Sequence, residues 1–214
     1  MKLILARHGN TFRPGDKVFY VGGKNDLPLV EQGVAQAERL ADVLSQQSID
    51  AVYSAPLKRT KEFAEIAIKK ARSRPNLIID ERLTELDYGQ WSGLSDDEIR
   101  EKFGEQCLRD WIEKSAWPGN CGWSGSEMAV RADVCNLIKE IEEKHAQDAT
   151  VLIVSSNGKL RYFLDLIDGE FEKRLQSRSF KVGTGKVCLL QRNGKGFELC
   201  LWNEEPGKLR DFIG

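Results

Sequence analysis

The sequence is short of histidine, with only His8 and His145 among 214 residues. Its five cysteines, Cys107, Cys121, Cys135, Cys188 and Cys200, are odd in number, widely spaced and free of any Cys-x-x-Cys pair. That pattern argues against a disulfide framework and against a zinc site, so no metal or cofactor is expected, and reduced thiols in a cytoplasmic setting are. Neither charge dominates. Lys and Arg number 32 against 33 acids, for a net charge of -1. No whole-molecule field would draw such a chain onto nucleic acid or a membrane surface, and any anion chemistry has to come from local cations. No apolar run reaches bilayer-spanning length, and strand-like residues begin at Lys2 without a charged-then-apolar leader. Internal repeats and low-complexity segments are also missing. What is left is a chain of single-domain length, 1–214, large enough to bury a real core.

What is there starts with Lys2-Leu-Ile-Leu-Ala-Arg-His-Gly-Asn-Thr11. An apolar run that stops at Arg7, His8 and Gly9 has the order of a buried strand ending in a polar crevice. A Gly- and Pro-rich loop, 11–28, follows, and from Glu31 the positions Val34, Ala37, Leu40, Ala41 and Leu44 keep helical spacing. Residues 49–53 read as a second strand running into Ser54-Ala-Pro-Leu-Lys-Arg-Thr60, where Pro56 suits the first turn of a helix and Arg59 falls in that turn. A short strand at 77–79 precedes an acidic irregular stretch, 80–89. Four of the five tryptophans then fall between Trp91 and Trp123, which reads as an inserted cap over about 90–125. Within it Ser95-Asp-Asp-Glu98 has the spacing of a capping box. Ser126 opens a longer helix with His145 at its tail. Residues 150–154 form the most apolar strand, ending in Ser155-Ser-Asn-Gly158 before a helix that carries Leu160, Phe163, Leu164 and Ile167. The alternating segments 187–191 and 197–202 around Asn193-Gly194 read as a hairpin. Lys173, Arg174, Arg178 and Lys181 read as a solvated face, and the tryptophans as cap packing.

Three strand ends thus bring polar residues toward one crevice of an α/β fold: Arg7-His8, Arg59, and the turn 155–158. Two guanidinium groups and a histidine suggest a phosphate site, because each Arg offers paired donors to phosphoryl oxygens while remaining charged. The same cations should keep His8 neutral, leaving a lone pair able to attack phosphorus. Glu85, between Leu83 and Leu86, and Asp87 are the candidate acids for the departing oxygen.

At this point the residues resemble the histidine phosphatase superfamily that includes the phosphoglycerate mutases. The resemblance is carried by Arg7-His-Gly, by Asp26-Leu-Pro-Leu with Gly33 and Gln36-Ala, by Ser54-Ala-Pro-Leu-Lys-Arg59, by Leu83-Thr-Glu-Leu-Asp-Tyr-Gly-Gln-Trp-Ser-Gly93, and by Gly125-Ser-Glu127 with Arg131. It implies a three-layer αβα sandwich with a mostly parallel mixed sheet, His8 as phosphorylated nucleophile, Arg7 and Arg59 as phosphate clamps, and Glu85 as proton donor. One departure stands out. Where the family has a second histidine the chain has Ser156, and loss of one transition-state donor costs about a hundredfold to a thousandfold in rate. His145 cannot replace it, since a strand about 17 Å long lies between that residue and the crevice. Ser156 and Asn157 can still donate neutral hydrogen bonds, the backbone N–H groups of Gly158 and Lys159 favour an anion, and the Lys159 ammonium can supply charge if it turns inward. Asn10 stands where the family usually has Glu or Gln, and is expected to touch substrate.

The expectation is a phosphatase acting on a small phosphorylated metabolite through phospho-His8, with no nucleic-acid or membrane partner and a homodimer left open. The alternatives are a catalytically impaired phospho-ligand-binding or regulatory protein, and a phosphoglycerate mutase-type phosphotransferase.

Overall fold

The computed structural model describes residues 1–73 and 75–213. One six-stranded sheet is built from β1 (Lys2–Arg7), β2 (Ala51–Ser54), β3 (Leu77–Ile79), β4 (Thr150–Ser155), β5 (Val187–Asn193) and β6 (Gly196–Glu204), in the spatial order β3-β2-β4-β1-β5-β6. The first four strands run parallel; β5 lies antiparallel to β1, and β6 antiparallel to β5. The alternation of side chains along β1 and β4 makes the layers. Leu3, Leu5, Val151 and Ile153 enter one core, and Ile4, Ala6, Leu152 and Val154 the other. Both faces of these strands are therefore buried, which is why their sequences are continuously apolar instead of alternating with polar residues.

Helices α1 (Glu31–Leu44) and α2 (Lys58–Ile68) cover the second face. Helices α3 (Asp96–Phe103), α4 (Glu105–Lys114) and α5 (Glu127–Lys144) lie over the first. The sequence signals at helix starts are realised at two of them. Ser95 Oγ accepts from Glu98 N while Glu98 Oε2 accepts from Ser95 N at 2.8 Å, the reciprocal pair of a capping box. Ser126 Oγ accepts from Ala129 N at 3.1 Å to open α5. Two expectations shift. Helix α2 begins at Lys58, so Pro56 lies before its first turn, although Arg59 stays within it. The helix expected through Ile167 is only α6 (Asn157–Leu160), continued by a 3₁₀ stretch over Arg161–Leu166 and then α7 (Glu170–Ser177).

The tryptophans pack edge to face around Trp123, with ring centroids 4.7 Å from Trp111 and 5.3 Å from both Trp91 and Trp117. Segment 91–123 has no core of its own: Trp91, Ile99, Leu108 and Trp111 belong to the cluster that holds Leu3 and Val151. Among the described residues no helix is long and apolar enough to cross a membrane.

Candidate active site

Because β1, β2 and β4 are parallel and in register, with Arg7 beside Ser155 and Ser54 beside Val154, their carboxyl ends open on one side of the sheet. The order of strands changes direction there, and such a point leaves a crevice. The crevice is a cavity of about 720 Å³ whose lining includes Arg7, His8, Asn10, Arg59, Glu85 and Asn157. Six of the seven residues expected at the site thus share one wall.

His8 is fixed from both sides. Its backbone N–H donates to Ser155 O and its carbonyl accepts from Gly185 N, tying the residue to β4 and to the loop before β5. Its ring Nδ1 lies 2.7 Å from Gly9 O, and Arg59 Nε donates to Nε2 at 3.2 Å. A carbonyl can only accept, so the proton sits on Nδ1 and Nε2 presents its lone pair to the cavity side occupied by Arg59. Burial lowers the His8 pKa well below its ordinary value, and the charges of Arg7 and Arg59 push it the same way.

Gly9 allows this geometry. A Cβ at Gly9 would overlap the backbone of Gly33, and one at Gly33 would overlap that of Asn10. The exit of β1 and the start of α1 therefore cross at backbone contact, with Val30 N donating to Asn10 O at 3.0 Å.

Arg59 is 1% exposed, and its other nitrogens are held by Asn25 O at 2.8 Å and Gly22 O at 2.9 Å. Arg7 donates from Nη1 to Val182 O at 2.7 Å, while its buried Nε has no partner. Burial lowers the pKa of both guanidinium groups, yet they stay charged. Glu85 places one oxygen on the backbone N–H of Leu86 at 2.9 Å and the other on that of Gly158 at 3.1 Å. A Cβ at Gly158 would collide with Glu85 Oε1 and with the Tyr88 hydroxyl, so any other residue there would displace those side-chain ends. Asp87, the rival acid, does not line the cavity. Burial pushes its carboxyl up, but the Lys24 ammonium at 2.7 Å and the Gly89 N–H outweigh this and hold it below the ordinary range.

The turn 155–158 departs from expectation. Ser156 is 1% exposed, does not line the cavity, and its Oγ is buried without a hydrogen-bond partner. Asn157 does line the cavity, but its Oδ1 accepts from Val182 N at 2.8 Å. The Gly158 N–H expected to face an anion is taken by Glu85. Lys159 turns away altogether: it is buried toward α5, with its Nζ 3.5 Å from Asp133 Oδ2. Neither Ser156 nor Lys159 thus brings a donor to the cavity wall. The Asn10 side chain bridges Gln32, to which Nδ2 donates at 2.9 Å, and the Thr184 hydroxyl, which donates to Oδ1. His145 lies outside the cavity, its Nε2 3.0 Å from the Tyr53 hydroxyl.

The cavity also recruits residues that sequence reasoning passed over. Arg161, Tyr88 and Trp111 form its cap side, Phe12 and Phe19 pack edge to face at 4.9 Å on its outer side, and Lys181, read as part of a solvated face, lines it as well. A signal for Arg161 existed: it is the one charged residue in the run from Leu160 to Leu164.

Comparison with known proteins agrees with this architecture. The sequence profile of the histidine phosphatase superfamily (branch 1) matches residues 3–205. Phosphoserine phosphatase 1 of Hydrogenobacter thermophilus is 34% identical over 163 residues, covering 75% of this chain and 73% of its own. A 2,3-bisphosphoglycerate-dependent phosphoglycerate mutase of Methylorubrum extorquens is 28% identical over 192 residues, covering 88% of this chain and 89% of its own. Among solved structures, the alpha-ribazole phosphatase of Shigella flexneri superposes with a TM-score of 0.73 at 26% identity, over 95% of this chain and 96% of its own. A parallel sheet ending in Arg7-His8, a second arginine brought in by α2 and a profile match over nearly the whole length lead to one conclusion: the chain belongs to branch 1 of the histidine phosphatase superfamily.

Proposed function

We propose that the protein is a phosphomonoester hydrolase that takes the phosphoryl group of a small phosphorylated metabolite onto His8. The observation that carries this reading is the state of that imidazole. It is neutral, its proton is committed to Gly9 O, and its Nε2 lone pair lies beside two guanidinium groups in an open cavity. In the first step Nε2 attacks phosphorus, the bond from phosphorus to the ester oxygen breaks, and Glu85 gives its proton to that oxygen. In the second, water attacks phospho-His8 as Glu85 takes a proton back, and inorganic phosphate leaves. Arg7 and Arg59 neutralise the three phosphoryl oxygens throughout. The names of relatives, phosphoserine phosphatase and alpha-ribazole phosphatase, support hydrolysis of a small metabolite. Segment 90–125 is the part of the chain that would select it, since Trp111 and Ile112 contribute to the cavity wall. The unpaired cysteines fit a reducing, cytoplasmic setting.

Trapping with phenyl phosphate labelled in its phosphoryl group, quenched in alkaline detergent where a phosphohistidine N–P bond survives, tests the reading: the label should appear on the wild type and be absent from His8→Asn. Ser156 motivates a second reading, a phosphate-binding protein that has lost turnover. It predicts binding without label and without hydrolysis across a substrate panel.

A further inference from the structure

Buried charges in folded proteins are normally paired. In this cavity they are not. Arg7, Arg59 and Arg161 are all lining residues, and none forms an ion pair among the described residues. Arg161 is 2% exposed. Its Nη1 donates to Trp111 O at 3.0 Å and to Ser115 Oγ at 3.2 Å, its guanidinium carbon lies 3.7 Å from the centre of the Trp111 ring, and its Nε has no partner. A guanidinium stacked and anchored in this way is pre-organised for one more anion.

The guanidinium groups of Arg59 and Arg161 are held differently: Arg59 Nε reaches His8 Nε2 at 3.2 Å, whereas Arg161 is anchored by Trp111 O and Ser115 Oγ from α4 and the residue after it, beside the Trp111 ring.

Resting on the hydrolase reading, we propose that Arg161 is a specificity-determining residue that binds a second anionic group carried by the substrate's leaving portion. The preferred substrates are then phosphomonoesters bearing a carboxylate, or a second phosphate, beyond the ester oxygen, with the intervening body against Trp111. A charge-assisted hydrogen bond of this kind corresponds to about 10- to 100-fold in kcat/KM.

The test compares 4-carboxyphenyl phosphate with its neutral 4-carboxamide, in the wild type and in Arg161→Met, which keeps volume without charge. The wild type should prefer the carboxylate by at least about tenfold, and Arg161→Met should bring the ratio close to one, whatever happens to its absolute rates. The 4-phosphonophenyl ester reports which anion is favoured; a preference for either charged compound over the amide supports the proposal. Equal rates on charged and neutral esters in the wild type, or an undiminished preference in Arg161→Met, overturn it. Binding of 4-carboxybenzylphosphonate against 4-carbamoylbenzylphosphonate, followed by calorimetry, gives the same ratio without turnover. An enzyme that hydrolyses nothing yet binds the carboxylate selectively would defeat the hydrolase reading and leave the assignment of Arg161 standing. Should Arg161→Met fail to fold, Arg161→Gln takes its place, and Lys181→Met, which should leave the ratio unchanged, excludes the other cation named on the cavity wall.

Discussion

Gly158→Ala is the substitution whose consequence follows most directly from the geometry. Gly158 is the second residue of α6 and has an ordinary negative φ, so alanine is conformationally acceptable and even gains about 0.5–1 kcal/mol of helix propensity. The difficulty is spatial. The new Cβ would sit inside the contact distance of Glu85 Oε1 and 2.5 Å from the Tyr88 hydroxyl. Glu85 must then swing away by about 1 Å, also giving up the N–H of Gly158, and a displacement of that size at a reacting group costs about 100-fold. The loss should depend on the leaving group. Phenyl phosphate needs a proton on its departing oxygen, so kcat should fall about 100-fold; 2,4-dinitrophenyl phosphate needs almost none, and its kcat should fall less than about tenfold. Inhibition by inorganic phosphate should hardly change, because Arg7 and Arg59 are not displaced. Steady-state kinetics on both esters, with a thermal melt to confirm folding, decides. Equal losses on the two esters in a folded variant, or no loss on either, would refute the assignment of Glu85 as the acid.

Other consequences can be checked separately. His8 has a folded pKa well below its unfolded value of about 6.5, so it contributes full stability above that pH and progressively less as pH falls toward the folded pKa. Urea melts of the wild type between pH 7 and 5 should therefore lose up to about 1.4 kcal/mol per pH unit more than those of His8→Asn, and parallel curves would show that His8 is not held neutral. Labelling of His8 should likewise persist between pH 7 and 6, since Nε2 remains unprotonated. Ser156→Ala removes a buried hydroxyl with no partner, so kcat should stay within about twofold and the melting temperature should be equal or higher; a drop of 100-fold or more would mean that Ser156 touches the phosphoryl group. Gly33→Ala drives a methyl group into the Asn10 backbone and should destabilise by about 1–3 kcal/mol, measurable by denaturant melts.

What the sequence determined by itself is local. The runs at 3–6 and 151–154 are continuously apolar because both sheet faces are covered, and each stops where the crevice begins, which makes Arg7 and His8 legible as a strand end. Arg59 was equally legible, because a residue in the first turn of a helix that follows a strand has little freedom in where it lies. The capping box and the hairpin are short-range patterns and were read for the same reason.

The tertiary structure alone decided the turn at 155–158. Ser156 is sealed, Lys159 pairs with Asp133 of α5, and Gly158 serves Glu85. The direction of each side chain there depends on how a four-residue helix is rotated against α5 and the segment 81–91, elements far away in the chain. Arg161 belongs to the same class: only the packing of α4, more than forty residues earlier, puts Trp111 and Ser115 where they hold its guanidinium at the cavity wall. Strand ends are fixed by covalent order and periodicity, whereas side-chain direction in short irregular segments is fixed by non-local contacts, and those exist only once the chain has closed on itself.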